Sequence, residues 1–326
     1  MWETGLLLVV GLVLLMAGGE LLVRGAVQAA TRLGVSPLVI GLTLVGFGTS
    51  MPELVTSVQA GLSGAPGIAY GNIVGSNIAN ILLIAGVSAL LCPILVARSA
   101  LRRDAAVMLG VAAAFAAVAA VVPMGRLVGF AMVAALLGYI GFVIRQERHS
   151  TAHGALHDKG QALSELDPNL APSAAPVGRS LVVSLLIALL GLVLVVVGGA
   201  TLVKGAVALA RGFDVSETVI GLTIVAVGTS MPELVTSVIA ALKRQGDVAF
   251  GNVVGSNIYN ILGIGGTTAL IAPSNLPPEI LGFDAPLMVA VSALFVFFAA
   301  TGLRIGRREG ALLLAGYGAY AWSLWP

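Results

Sequence analysis

Apolar residues run along this chain in blocks too long and too continuous for the stripes of a water-soluble fold. They fall at about residues 5–30, 36–61, 69–95, 104–122 and 126–145, and, after a polar stretch, at about 180–210, 216–242, 249–272, 283–302 and 308–325. A helix needs ~20 apolar residues to cross the hydrocarbon core. The pattern therefore predicts an all-α membrane protein of ten transmembrane helices, and an even number puts both termini on one side. The opening Met-Trp-Glu-Thr-Gly has no basic n-region, and the apolar run behind it outlasts a signal-peptide core, so it reads as a first span.

Composition agrees. Charged residues make up only 10% of the 326, against ~25% in a soluble domain, which excludes a water-soluble globule. The formal charge of +2 comes without any dense basic run, which excludes a nucleic-acid partner and leaves the lipid bilayer. The one cysteine, Cys92, lies in an apolar stretch; it can form no internal disulfide and reads as packing.

Basic residues choose the orientation. With the N-terminus outside, thirteen Lys and Arg fall in cytoplasmic segments, among them Arg98, Arg102, Arg103, Arg304, Arg307 and Arg308, whereas the outer segments hold Arg126 and Arg211. Arg24 and Lys204 sit near helix ends, where their stems can snorkel, and Glu20 with Arg24 at i, i+4 forms a local ion pair. The expected location is the cell (inner) membrane, with both termini extracytoplasmic. Residues 146–178, with scattered proline and serine, read as a cytoplasmic linker. His149, His153 and His157 lie there at helical spacing, but Gly154 and Gly160 weaken any helix, and no metal site is assigned to them.

The strongest pattern is internal. Gly-Thr-Ser-Met-Pro-Glu-Leu-Val-Thr-Ser-Val occurs at Gly48–Val58 and again, unchanged, at Gly228–Val238, an offset of 180. The same offset maps Asn72, Ser76, Asn77 and Asn80 onto Asn252, Ser256, Asn257 and Asn260. The chain divides into a five-helix unit at 1–145 with its motif at 41–82, the linker, and a second unit at 179–326 with its motif at 221–262. Five is odd, so the copies cross in opposite directions, the inverted-repeat plan of secondary transporters.

Glu53 and Glu233 are the acids well inside the second and seventh runs, with no Lys, Arg or His in those runs or the ones that follow them. An intramembrane charge costs ~2.5 kcal/mol or more without a partner, which points to a bound cation or a proton. Pro52 and Pro232 lack the N–H that would meet the carbonyls of Gly48 and Gly228, so the helix is expected to break there and expose main-chain oxygen. Thr49, Ser50, Thr229 and Ser230 add hydroxyls at the break, and Ser76 with Asn80 and Ser256 with Asn260 add oxygens one helical turn apart. Carboxylate, amide, hydroxyl and peptide oxygens suit a hard cation such as Ca2+ or Na+, not zinc, copper or iron. Ser50 to Glu53 and Ser230 to Glu233 also fit a capping box, and Asn72, Asn77, Asn252 and Asn257 read as helix cross-links.

These residues resemble the cation/Ca2+ exchangers, and prokaryotic Na+/Ca2+ exchangers among them, whose two repeats carry G-T-S-x-P-E and G-N-x-x-G-S-N signatures. The resemblance covers nearly the whole chain. It implies ion coordination by Glu53, Glu233, Thr49, Thr229, Ser50, Ser230, Ser76, Ser256, Asn80 and the Asn260 position, with main-chain oxygen near Gly46 and Ala226. It also implies that the first and sixth spans slide as gates, and that Ca2+ and Na+ are transported ions, with no cofactor. Some relatives, the potassium-dependent ones included, carry Asp where this chain has Asn260, which argues against potassium co-transport. Rival expectations are an H+/Ca2+ antiporter using the same glutamates and a passive cation channel. An enzyme is not expected, since no His or Lys base accompanies the motif serines.

Overall fold

The structure, a computed structural model, describes residues 2–33, 48–147, 181–242 and 246–324. Gly46, residues 148–178 of the linker with His149, His153 and His157, and the basic pair Lys243 and Arg244 lie outside the described residues. The helices are α1 (Trp2–Arg32), α2 (Met51–Leu62), α3 (Pro66–Leu91), α4 (Arg98–Val121), α5 (Arg126–Glu147) and α6 (Leu181–Phe213). They continue with α7 (Glu217–Thr229), α8 (Met231–Leu242), α9 (246–271), α10 (Ile280–Ala300) and α11 (Arg307–Leu324). Proline opens α3 at Pro66, where a missing N–H costs nothing. Gly64, at φ +73°, makes the left-handed turn that folds α2 back on α3.

Among the described residues six helices, α1, α3, α4, α5, α6 and α10, are long and apolar enough to span a membrane, and the bent pair α7–α8 makes a seventh. This is fewer than the ten the hydropathy pattern predicts, for identifiable reasons. The second run falls partly outside the described residues. In α9, Tyr259, Gly263, Gly265 and Thr267 stand where α3 has Ala79, Leu83, Ala85 and Val87 and lower the hydropathy, and α11 is 18 residues long and opens on Arg307, Arg308 and Glu309.

Burial is arranged for a bilayer rather than for water. The outer helices expose large apolar side chains, such as Val9 and Val13 on α1 and Leu186 and Leu189 on α6. The interior collects Ser50, Glu53, Asn72, Ser76 and Asn80 together with Ser230, Glu233, Asn252, Ser256 and Asn260, all buried. Polar side chains placed inside and apolar ones outside are what a lipid solvent demands.

Helices α1 and α6 pack antiparallel along a seam of glycines seven residues apart. A Cβ on Gly11 would stand 2.6 Å from the Leu202 nitrogen, and one on Gly18 would stand 2.7 Å from the Val195 nitrogen; Gly25 meets Ala188 in the same way. The partner numbers fall as the α1 numbers rise, which fixes the opposed directions. From the other side, Gly191, Gly198 and Gly205 meet Leu22, Leu15 and Leu8. Only glycine allows this backbone approach.

Short pairings tie the helix ends. Strand β1 (Ile94–Leu95), after α3, pairs antiparallel with β2 (Arg304–Ile305), before α11, with Ile94 opposite Ile305. Met124, between α4 and α5, bridges Ser274, between α9 and α10. Two buried acids brace the flanking helices: Asp104 accepts from Arg103 Nε at 2.7 Å and Tyr139 Oη at 2.8 Å, and Asp284 accepts from Tyr320 Oη at 2.8 Å. Glu20 and Arg24 form the ion pair their spacing suggests, at 2.6 Å. Cys92 is a free, half-buried thiol.

Candidate functional site

The site is built around a helix that cannot continue. Proline at position 232 denies the Gly228 carbonyl its usual donor, and α7 meets α8 at Ser230 with a 49° bend. The first copy repeats the local sequence, with Ser50 standing before α2.

Each copy delivers a serine to the other. Ser50 forms no side-chain cap on its own helix. Its hydroxyl donates to Oε1 of Glu233 at 3.1 Å, and Ser230 donates to Oε1 of Glu53 at 2.9 Å. The capping-box reading of Ser50 is thereby corrected: its hydroxyl is spent across the interface, not on the N–H groups of α2. Glu53 and Glu233 are 1% and 2% exposed, and the reciprocal serine bonds draw both carboxyl groups into one buried chamber between the copies.

Asparagines on the adjoining helices hold the glutamate backbones. Asn72 Nδ2 donates to the Glu53 carbonyl at 3.1 Å and to Ser57 Oγ at 2.9 Å, and Asn252 does the same for Glu233 and Ser237 at 3.1 and 2.8 Å. Thr229 Oγ1 reaches Asn72 Oδ1 at 3.0 Å and the Val225 carbonyl at 3.0 Å. Ser76 lies 3.4 Å from Asn72 Oδ1 and 3.5 Å from the Ala226 carbonyl. Asn80 opens a widened helical turn, Asn80–Ala85, and Asn260 lies in its counterpart, Tyr259–Gly265. Such turns recur at functional sites because they free main-chain groups and re-aim side chains. Asn80 donates to Asn257 Oδ1 at 3.1 Å. Ser256 is buried on α9.

Among the described residues, Oγ1 of Thr49 and the amide oxygens of Asn80, Asn252 and Asn260 are buried without a hydrogen-bond partner. Buried polar atoms are normally satisfied, and those that are not call for a ligand or strain. Among the described residues no three His, Cys, Asp or Glu side chains converge, so the chamber offers two carboxylates and otherwise neutral oxygens. Of the sequence-predicted residues, hydrogen bonds join Ser50 to Glu233, Ser230 to Glu53, and Thr229 and Ser76 to Asn72 and the Ala226 carbonyl, while Thr49 just before α2, Asn80 on α3 and Ser256 and Asn260 on α9 are buried.

A family model described as "Sodium/calcium exchanger protein" matches residues 4–146 and 183–325. The chain belongs to the sodium/calcium exchanger family. Relatives along the whole length include the putative antiporter CaxA of Alkalimonas amylolytica, 37% identical over 97% of this chain and 96% of that protein. Sodium/calcium exchanger MaX1 of Methanosarcina acetivorans is likewise 37% identical, over 97% and 96%. The solved structure of the sodium-calcium exchanger NCX_Mj superposes with a TM-score of 0.64 at 31% identity, covering 99% of each chain. This member of the exchanger family is therefore a multi-pass membrane antiporter, and the family is a class of transporters.

Sequence reading placed Asn72 and Asn252 as structural cross-links and passed over Ser57 and Ser237. All four recur at the repeat offset, which was the available signal. The glycine seam was equally legible as a seven-residue spacing in the first and sixth runs.

Proposed function

We propose that this chain exchanges Na+ for Ca2+ by alternating access, with Glu53 and Glu233 sharing the transported ions. The observation that carries the reading is the reciprocal pair of bonds, Ser50 to Glu233 and Ser230 to Glu53, which keeps two carboxylates of different copies in one chamber. Two negative charges balance one Ca2+ or two Na+. A third Na+ would leave a net positive charge and make exchange voltage-sensitive, at ~2.3 kcal/mol per charge per 100 mV. Ions would be held by the two glutamates, by the hydroxyls of Thr49, Ser50, Thr229, Ser230, Ser76 and Ser256, and by the amide oxygens of Asn80 and Asn260. Main-chain oxygen near Gly46 and Ala226 completes the set. With Asn260 rather than a third acid, K+ has no charge to neutralise.

The reading includes ten spans in two inverted units of five, 1–145 and 179–326, with both termini outside the cell membrane and the 146–178 linker inside. The antiparallel α1–α6 seam supports opposed units. The pairing of β1 with β2 and of Met124 with Ser274 fits an alternation in which the loops after the third and ninth spans share one face, and those after the fourth and eighth share the other. Spans one and six, α1 and α6, form the gate.

The test is uptake of radiolabelled Ca2+ into reconstituted vesicles under separate Na+, H+ and K+ gradients. Uptake driven by Na+ alone, and abolished by Glu53→Gln or Glu233→Gln, is the expected result. Uptake driven by H+ without Na+ would make it a proton-coupled exchanger, and uptake needing no counter-ion would make it a channel.

A further inference from the structure

The two copies match in sequence, yet the contacts between them do not match in the structure. The serine–glutamate bonds are made both ways. Three others are made one way only. Thr229 donates to Asn72, whereas its counterparts Thr49 Oγ1 and Asn252 Oδ1 have no partner among the described residues. Asn80 Nδ2 donates to Asn257 Oδ1, whereas the counterpart acceptor, Asn77 Oδ1, has no partner among the described residues. Asn257 Nδ2 reaches the Met108 thioether at 3.4 Å; its counterpart Asn77 turns back to the Ile73 carbonyl at 2.7 Å, leaving Met288.

In a protein built from two inverted copies, exchanging the contacts of one copy for those of the other generates the opposite-facing state. Asn72 is placed to sense that exchange. Its amide nitrogen holds the carbonyl of Glu53, while its oxygen takes the threonine that ends α7, at the 49° bend. One side chain therefore links an ion-binding glutamate to the broken helix of the other copy. Asn252 has the same anchor on Glu233, with its oxygen waiting.

We propose that Asn72 and Asn252 are positioning residues that couple the ion site to the gate: each binds the opposite copy's threonine in one state only. The Thr229–Asn72 bond and a Thr49–Asn252 bond exclude each other. The inference rests on the alternating-access reading. In the opposite state Asn260 donates to Asn77, and Asn77 releases Ile73 for Met288.

The experiment reads the populations of the two states directly. In a Cys92→Ser protein, spin labels on Val13→Cys of α1 and Leu127→Cys of α5, both exposed positions, report the gate-to-core distance by pulsed electron resonance in lipid. Thr229→Val is expected to shift the ratio of the two distances about fivefold away from the state described here, and Thr49→Val about fivefold toward it, the ratio one hydrogen bond controls. Thr229→Ser and Thr49→Ser, which keep the hydroxyl, restore the parent ratio. Shifts in the same direction, no shift, or a single distance throughout overturn the latch. Na+-driven Ca2+ uptake by the wild-type protein in the same lipid separates the failures: exchange without opposed shifts rejects the latch alone, and absence of exchange rejects the transport reading beneath it.

Discussion

The hydroxyl of Ser230 lies 2.9 Å from the carboxylate of Glu53, a residue 177 positions earlier and in the other copy of the repeat. A mirror bond joins Ser50 to Glu233. The serine that precedes each of α2 and α8 thus steadies the acid of the other copy, so the position of each acid is tied to the start of the opposite helix.

Removing either hydroxyl should loosen the carboxylate without deleting its charge. Ser50→Ala and Ser230→Ala are each expected to weaken Ca2+ binding about tenfold, the lower end of what a hydrogen bond to a charged group contributes. Calorimetric titration of purified protein checks this, and unequal effects of the two substitutions would contradict the reciprocal arrangement.

A third acid should alter the ionic requirement. Asn260 carries a buried amide oxygen with no partner among the described residues, so Asn260→Asp adds a buried charge at a position included in the proposed ion site. Ca2+ would then leave one negative charge uncompensated, and uptake is expected to become dependent on K+ or another monovalent co-ion. Vesicle uptake with and without K+ decides it.

The α1–α6 seam should be intolerant of a single methyl group. A Cβ at Gly198 would stand 2.7 Å from the Leu15 nitrogen, so Gly198→Ala must push the two helix backbones away from each other. The expected cost is about 1–3 kcal/mol, seen as a lower midpoint in thermal unfolding and as slowed exchange. Gly5→Ala, with nothing within 4 Å of the added carbon, should behave as wild type.

The two buried aspartates should respond unequally to loss of their phenols. Asp104 keeps Arg103 at 2.7 Å when Tyr139 becomes Phe. Asp284 has Phe283 where Asp104 has Arg103, so Tyr320→Phe strips its phenol donor with no adjacent guanidinium in the sequence to take over. Tyr320→Phe is expected to destabilise by about 1–3 kcal/mol and Tyr139→Phe by less, as measured by denaturation in detergent.

The sequence carried the membrane character, the repeat and the broken helix, because hydropathy, a shared 180-residue offset and a proline after glycine are all local or additive signals. It could not carry the partner of Ser50. The S-x-x-E spacing looks the same whether the hydroxyl caps its own helix or reaches 183 residues away to Glu233, and only tertiary packing chooses. The widened turns at Asn80 and Tyr259 were invisible for a similar reason: the first runs through Asn-Ile-Leu-Leu-Ile-Ala, and the glycines of the second, Gly263 and Gly265, read equally as close helix packing. Asp104 and Asp284 sit at the edges of apolar runs, where an acid reads as solvated until a tyrosine from another helix covers it.

The glycine contacts between α1 and α6 have a mechanical consequence. Two rods seated backbone against backbone cannot separate without opening a void in hydrocarbon, so they travel as one rigid shutter. In the proposed exchange cycle, a displacement of that shutter which clears a passage on one face of the membrane closes it on the other by the same stroke, so an ion would never find both doors ajar.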